Sequence, residues 1–174
     1  MLRVDDNVPL PFIVLDAQVG DAEAIAKIHV QCWHEAYSGI IPQSYLDSLN
    51  TTERKARWLK VISSGEIVLV ATVDEQIVGF VGGLAMRGPY TQAIGEITSL
   101  YVLSKHHRTG IGKALFSACK TRLKENRLFP FALWVVEGND PAIKFYETMG
   151  GKNVATKSFE LAGKKLDEHL YLYD

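Results

Sequence analysis

The feature that most constrains the fold is a strand-like run followed by a glycine-rich turn and a helix-like run. Residues 97–102 are an apolar run, residues 107–114 read His-Arg-Thr-Gly-Ile-Gly-Lys-Ala, and a helical pattern continues through Asn126. At such a junction the first N–H groups of the helix lack intrahelical partners, and the helix dipole adds positive potential. Gly110 and Gly112 carry no side chains, so a ligand can approach the main chain closely. The stretch therefore predicts an anion site, most often one for phosphate.

Positive charge gathers at the same turn. The basic or titratable side chains there are Lys105, His106, His107, Arg108 and Lys113. The formal net charge of the whole chain is only -1, so no global field recruits nucleic acid or an acidic membrane. Any attraction for an anion is therefore local to this turn.

Length and composition fit one globular domain. The 174 residues are 47% hydrophobic and 22% charged, which is ordinary for such a domain. We expect one domain over residues 1–174, with residues 1–11 as a loose N-terminal arm. No apolar run approaches the ~20 residues that span a bilayer, and the N-terminus lacks a signal-peptide layout, so we expect a cytoplasmic protein.

Cysteine and histidine spacing gives no sign of a metal site. Cys32 and Cys119 fall in helix-patterned segments, where we expect buried thiols. His29 and His34 have no further ligand at metal-binding spacing, so we predict no metal.

The remaining pattern predicts an α+β domain. Its order is strand, helices, three strands, helix, strand, helix and two strands, with Thr51 as the cap of the third helix. The strand-helix-strand unit over residues 95–136 predicts two parallel neighbours, because such crossovers are right-handed. Hairpins elsewhere make the predicted sheet mixed.

Other phosphate-binding folds fit the turn less well. A dinucleotide fingerprint needs glycine or alanine where Leu115 stands, and a Walker loop needs serine or threonine where Ala114 stands. A helix start that uses its glycines only for packing stays open on the turn alone.

Two spaced motifs on the predicted elements identify a family resemblance. Residues 107–112 match Arg/Gln-x-x-Gly-x-Gly/Ala except at His107, and the motif Asn-x-x-Ala-x-x-Phe-Tyr-x-x-x-Gly is matched without a gap over residues 139–150. Residues 33–42 also look like the acceptor-side helix of one bacterial branch. Over residues 12–173 the chain resembles the GNAT superfamily of acyl-CoA-dependent N-acetyltransferases. In that family the residue at the position of His107 binds the pyrophosphate mainly through its backbone. We therefore expect pyrophosphate binding to be kept although His107 replaces the usual arginine or glutamine.

The resemblance implies a fold and an activity. The fold is a central mixed, mostly antiparallel sheet of six to seven strands, flanked by helices and splayed between strands four and five. The activity is direct transfer of an acetyl group from acetyl-CoA, the cosubstrate, to a primary amine of a small molecule, peptide or protein in a ternary complex. Many relatives dimerise through late strands, so we expect a possible homodimer surface at Phe159, Leu161, Leu170 and Leu172.

The resemblance also assigns site residues. Those expected to hold the cosubstrate are Leu100, Tyr101, Val102, His107, Arg108, Thr109, Gly110, Ile111, Gly112, Lys113, Ala114, Asn139, Ala142 and Phe145. The N–H of Val102 is the expected oxyanion donor. Glu35 and Tyr37 are expected to line the amine pocket.

Two residues are the expected catalytic groups. Tyr146 is the expected general acid, because a phenol of pKa about 10 is protonated at neutral pH and suits a departing thiolate. Its alternative is a half-buried tyrosine that packs under the sheet. Glu96 is either a direct or water-relayed general base, or a solvated glutamate at a strand edge.

Two other functions stay open at this point. One is a non-catalytic acyl-CoA-binding module of the same fold, and the other is a phosphate-binding regulatory domain. The presence of Tyr146 favours the enzyme.

Overall fold

The computed structural model describes residues 12–90 and 92–174, so the predicted arm at residues 1–11 lies outside the described part. In chain order its elements are β1 (Ile13–Asp16), α1 (Ala22–Tyr37), α2 (Gln43–Asp47), α3 (Thr51–Ser63), β2 (Ile67–Val73), β3 (Gln76–Ala85), β4 (Gly95–Val102), α4 (Ile111–Glu125), β5 (Phe131–Val136), α5 (Asp140–Thr148), β6 (Lys152–Leu161) and β7 (Lys164–Tyr173). Short 3-10 turns precede α1 and follow β4.

All of these strands form one mixed sheet in the order β1-β2-β3-β4-β5-β7-β6. The pair β4/β5 is parallel, and the other neighbours are antiparallel. The β4/β5 ladder contains only Gly95 opposite Phe131 and Glu96 opposite Ala132. Beyond Glu96 the two strands separate, and we call this opening the fork. The predicted sheet and its splay between strands four and five are therefore confirmed.

A β-bulge lies just past the last β4/β5 pair. Gly82 of β3 pairs with Ser99, while the next residue, Gly83, pairs with Ile97, so Thr98 is an extra residue on β4. A bulge bends its strand and increases the local twist. Its position after Glu96 accounts for the divergence of β4 from β5.

Both faces of the sheet are covered by helices. On β2, Leu69 and Ala71 belong to the core under α4, whereas Val68 and Val70 face α1 and α3. This alternation is the period of two that a strand buried on both faces requires. In the described part of the chain the longest helix has 16 residues, and none is long and apolar enough to cross a membrane.

The start of α3 differs from the prediction. Asn50, and not Thr51, is the cap: its side-chain oxygen accepts hydrogen bonds from the N–H groups of Thr52 at 2.8 Å and Glu53 at 3.2 Å. An asparagine with extended backbone geometry satisfies two helix-start donors at once, which explains the shift of one residue.

Two of the four residues predicted for a homodimer surface are buried inside the subunit. Leu170 is fully buried and Leu172 is 8% exposed, both inside the subunit. Phe159 and Leu161 pack against a small cluster that includes Leu46 of α2. Leu170 and Leu172 pack with Ala132 of β5 and so stabilise the fold of the single chain. Phe159 and Leu161 keep partial exposure, so a homodimer surface that uses them stays a prediction.

Candidate functional site

The fork opens into a cleft of about 790 Å³. It lies between the end of α1, the separated strands β4 and β5, and the helices α4 and α5. The predicted site residues that line it are Glu35, Tyr37, Leu100, Tyr101, Val102, His107, Arg108, Gly110, Gly112, Lys113, Asn139, Ala142, Phe145 and Tyr146. The two motifs and the acceptor-side helix therefore meet at one cavity.

Four predicted site residues lie outside this lining. Ile111 is buried in the core under the sheet, and Ala114 packs against the same core. Thr109 uses its hydroxyl within the turn, where Oγ1 donates to the carbonyl of His106 at 2.7 Å. Glu96 is the fourth and lies below the fork. Any contact of Ile111 or Ala114 with a ligand would have to involve the backbone.

The turn before α4 presents free backbone donors. Gly110 adopts a φ of 90° as the residue before α4, a left-handed geometry that glycine tolerates best. Within the described chain, the N–H groups of residues 108–113 donate to no carbonyl. A Cβ at Gly112 would meet nothing closer than Phe145 at 3.9 Å, so the space on the side-chain face of this residue is open. A helix start with these features is suited to binding an anion.

The imidazole of His107 binds the end of β4. Its Nε2 lies 2.8 Å from the carbonyl oxygen of Val102. Because a carbonyl only accepts, Nε2 carries the proton and donates. His107 thus ties the turn to the strand that precedes it, a role for its side chain that the motif did not indicate.

The backbone of β4 alternates between β3 and the fork. The N–H of Leu103 donates to the carbonyl of Val78 at 2.9 Å, so the next pair, Gly79 and Val102, is of the non-hydrogen-bonded type. The N–H and C=O of Val102 therefore point away from β3 and toward the fork, and Leu100 shares this orientation. The backbone polar groups of Tyr101 point to the β3 side instead. Tyr101 reaches the cleft through its side chain.

Tyr146 lies on α5 with its ring held among aromatic neighbours. The ring centroids of Phe145 and Phe116 lie 5.4 Å and 6.4 Å from its own. The hydroxyl of Tyr173 donates to the carbonyl of Tyr146 at 2.9 Å, which fixes this turn of the helix. Burial raises the pKa of Tyr146 far above its usual value, so the group is a neutral phenol at physiological pH.

Glu96 is neither solvated nor in the cleft. It is 6% exposed, and Arg87 donates to it from Nη2 to Oε1 at 3.1 Å, from Nε to Oε2 at 3.2 Å and from the backbone N–H to Oε2 at 3.3 Å. The same bonds raise the pKa of the Arg87 guanidinium. The alternative of a solvated strand-edge glutamate is therefore wrong, and both carboxylate oxygens are already engaged.

The structure adds residues that the motifs did not single out. Thr98, Ser99 and Trp134 line the wall of the cleft nearer α1, and on the side of α4 and α5 Lys144 adds positive charge and His106 an imidazole. The alternation of β5 was the available signal for Trp134, since its neighbours Leu133 and Val135 face the opposite core. A second groove of about 430 Å³ adjoins the cleft at Gly138 and lies against the last hairpin.

Both cysteines are free thiols and lie buried. Burial raises the pKa of both Cys32 and Cys119 to about 12, so each is a protonated thiol. Residues 12–90 and 92–174 contain no group of three or more His, Cys, Asp or Glu side chains placed to hold a metal ion.

Two solved structures share this architecture. A PaiA N-acetyltransferase from Thermoplasma acidophilum, in complex with coenzyme A, superposes with a TM-score of 0.74 at 20% identity, covering 93% of this chain and 99% of that one. The putative acetyltransferase YncA from Salmonella typhimurium, with its cofactor acetyl-CoA, gives 0.72 at 18% identity, covering 94% and 93%. At these identities the likeness concerns the fold.

Sequence comparison extends the likeness beyond the fold. The profile of the Acetyltransferase (GNAT) family matches residues 23–150. The uncharacterized N-acetyltransferase YuaI of Bacillus subtilis (strain 168) is 36% identical over 159 residues, 89% of this chain and 88% of that protein. The resemblance inferred from the two motifs is confirmed, and the chain belongs to the acetyltransferase (GNAT) family.

Proposed function

We propose that this protein transfers an acetyl group from acetyl-CoA to a primary amine, by direct attack in a ternary complex. The observation that carries the proposal is the early end of the β4/β5 ladder at Glu96, beside a helix start whose N–H groups are free. Acetyl-CoA and coenzyme A in the Salmonella and Thermoplasma structures of the same fold support this choice of cosubstrate.

The cleft fits a long, thin ligand with an anionic middle. The N–H groups of residues 108–113, with Arg108 and Lys113, suit a pyrophosphate. The fork-facing backbone of Leu100 and Val102 suits the amides of a pantetheine arm, which would pair with β4 like a missing strand. Asn139, 9% exposed at the start of α5, is the proposed side-chain partner for the same arm.

The bound cosubstrate supplies a thioester, an acyl group already activated for attack. The N–H of Val102 faces the fork while its carbonyl is taken by His107, so the N–H is the proposed donor to the developing oxyanion. Tyr146 holds a proton in the cleft and is the proposed donor to the departing sulfur.

The proton of the attacking amine needs a separate acceptor. Direct transfer to Glu96 has no geometric support, because Arg87 engages both of its oxygens. A water-relayed role for Glu96 stays a prediction. Glu35 is the carboxylate that lines the cleft on α1, where it and Tyr37 are the proposed contacts of the amine.

The experiment that tests the proposal is a screen for release of free thiol from acetyl-CoA with a panel of small amines and peptides. Thiol release that depends on an amine, with the acetylated amine found by mass spectrometry, is the expected result. Acetyl-CoA should also raise the melting temperature, while phosphate and NAD should not. Binding without turnover by any amine would instead identify a sensing module.

A further inference from the structure

Two phenols meet across the cleft. Tyr37 is the last residue of α1, Tyr101 lies on β4 beyond the end of the β4/β5 ladder, and their hydroxyl oxygens are 3.3 Å apart. Both residues line the cleft. The bond therefore joins the helix on the acceptor side to the strand that we propose for the cosubstrate.

The rings of Tyr37 and Tyr101 are each held in place by an aromatic neighbour. The ring of Tyr101 stacks on His29 with centroids 5.3 Å apart, and the ring of Tyr37 packs edge-on against Trp33 at 5.0 Å. His29 is held in turn, because Nε1–H of Trp58 donates to its Nδ1 at 3.0 Å. Such a pair loses little side-chain freedom when a ligand binds, so it is preorganised.

The pair has hydrogen-bonding capacity left over. Two hydroxyl groups carry two protons and several lone pairs, and their mutual bond uses one of each. Asn139 lies near the hydroxyl of Tyr37 and the indole N–H of Trp33 near that of Tyr101, but within residues 12–90 and 92–174 neither contact has the geometry of a hydrogen bond. One proton and the remaining lone pairs are thus available to a group in the cleft.

The phenols are not bases. Burial raises the pKa of Tyr37 and raises that of Tyr101 further, so both stay neutral at physiological pH. A neutral phenol oxygen can accept an N–H bond without removing the proton. That is the interaction that orients an amine nucleophile.

We infer that the Tyr37–Tyr101 hydroxyl pair positions the acceptor amine by accepting one of its N–H bonds, which directs the nitrogen lone pair at the thioester carbonyl. The inference rests on the proposed function and specifies the acceptor further. As the N–C bond forms, the C–S bond breaks with its electron pair on sulfur, the nitrogen loses one proton to water, and Tyr146 protonates the sulfur before regaining a proton from solvent. An amine needs two N–H bonds, one held and one lost, so the site selects primary over secondary amines.

The test is Tyr37→Phe, which removes one hydroxyl and keeps the ring. The probes are n-butylamine and N-methylbutylamine, with thiol release for kcat and KM, and titration of n-butylamine into the protein–coenzyme A complex for amine affinity. We expect kcat/KM and affinity for n-butylamine to fall about tenfold, the loss of one hydrogen bond. The preference for n-butylamine over N-methylbutylamine should shrink by a similar factor, while the Kd for coenzyme A stays constant. Tyr101→Phe should change the amine parameters in the same direction.

The matched control is Tyr45→Phe. Tyr45 lies on α2 with its ring 6.1 Å from that of Trp33, and it does not line the cleft. This variant should match the wild type in every measurement. Equal behaviour of Tyr37→Phe and Tyr45→Phe would overturn the inference, as would a parallel loss of coenzyme A affinity in Tyr37→Phe.

Failure of the proposed function would look different. If the wild-type protein binds n-butylamine beside coenzyme A but releases no thiol with any amine, the proposed transferase activity is refuted. The affinity of Tyr37→Phe for n-butylamine then decides whether the tyrosine pair binds the amine. Wild-type protein that neither binds nor turns over any amine would refute both.

Discussion

Arg87 holds Glu96 at the closed end of the fork. Glu96 is the last β4 residue that pairs with β5, and it receives three hydrogen bonds from the loop that follows β3. Glu96 therefore lies at the end of the β4/β5 ladder, immediately before the two strands separate. The geometry favours an anchoring role for Glu96 over direct proton transfer.

Arg87→Met and Glu96→Gln test this anchor. Arg87→Met leaves a buried carboxylate uncompensated, and because the Arg87 side chain is 58% exposed we expect a loss of only about 1–2 kcal/mol in the free energy of unfolding. Both variants should lower kcat/KM by less than about tenfold and leave the shape of its pH profile unchanged. Urea denaturation and pH-dependent kinetics are the measurements. Loss of the acid limb in Glu96→Gln alone would instead establish the water-relayed base.

Tyr146→Phe separates the enzyme from a sensing module. The variant removes the proposed proton donor while its ring keeps the contacts to Phe116 and Phe145. We expect a nearly unchanged Kd for coenzyme A and a fall in kcat of about 10²-fold. Tyr171→Phe, which removes a phenol bonded to Glu147 outside the cleft, is the control. Unchanged turnover in Tyr146→Phe would remove this residue from the mechanism.

Gly112→Glu tests whether an anion binds at the start of α4. A Cβ at this position meets only Phe145, at an ordinary contact distance of 3.9 Å, so the fold has room for a side chain there. The new carboxylate would repel the proposed phosphates, so affinity for coenzyme A should drop at least about tenfold, or about 1.4 kcal/mol, while the melting temperature stays close to that of the wild type. Gly20→Glu, at a position with nothing within 4 Å of its added Cβ, should change neither quantity. Full affinity in Gly112→Glu would place the phosphates elsewhere.

His29 should make the protein less stable in mild acid. Burial lowers its pKa from 6.5 to about 3, so between these values the unfolded chain takes up a proton that the folded chain does not. Stability is thus complete above pH 6.5 and falls toward pH 3, by up to about 1.4 kcal/mol per pH unit.

The variant His29→Gln isolates this contribution, since a glutamine oxygen can still accept from Trp58. Urea unfolding from pH 7 to pH 5 should show a decline about 2 kcal/mol smaller in the variant than in the wild type. Parallel curves for the two proteins would contradict the assignment.

The parts of this protein that were predictable are those encoded locally. The strand and helix patterns predicted the mixed sheet. The turn at Gly110 and Gly112 and the α5 motif around Tyr146 identified the family resemblance, and that resemblance implied the fork and the site beside it. The partner of Glu96 did not, because Arg87 reaches it through a loop whose path no local pattern specifies. His107 was expected to act through its backbone, yet its side chain binds Val102. Leu170 looked available for dimerisation because its packing against Ala93 and Ala132 is a tertiary contact that no local pattern specifies.

The extra residue at Thr98 also sets the phase of β4. With strict alternation Ile97 and Tyr101 would share a face, but Ile97 packs in the core under α4 and Tyr101 against the core of α1 and α3. If the bulge were lost and Thr98 joined the regular ladder, every later residue of β4 would turn to the opposite face, so the phenol of Tyr101 would leave Tyr37 and the peptide groups of Leu100 and Val102 would pair with β3. One inserted amino acid therefore fixes both the side chain proposed to position the amine and the backbone proposed to bind the acyl donor. A change in the register of β4 would move both together.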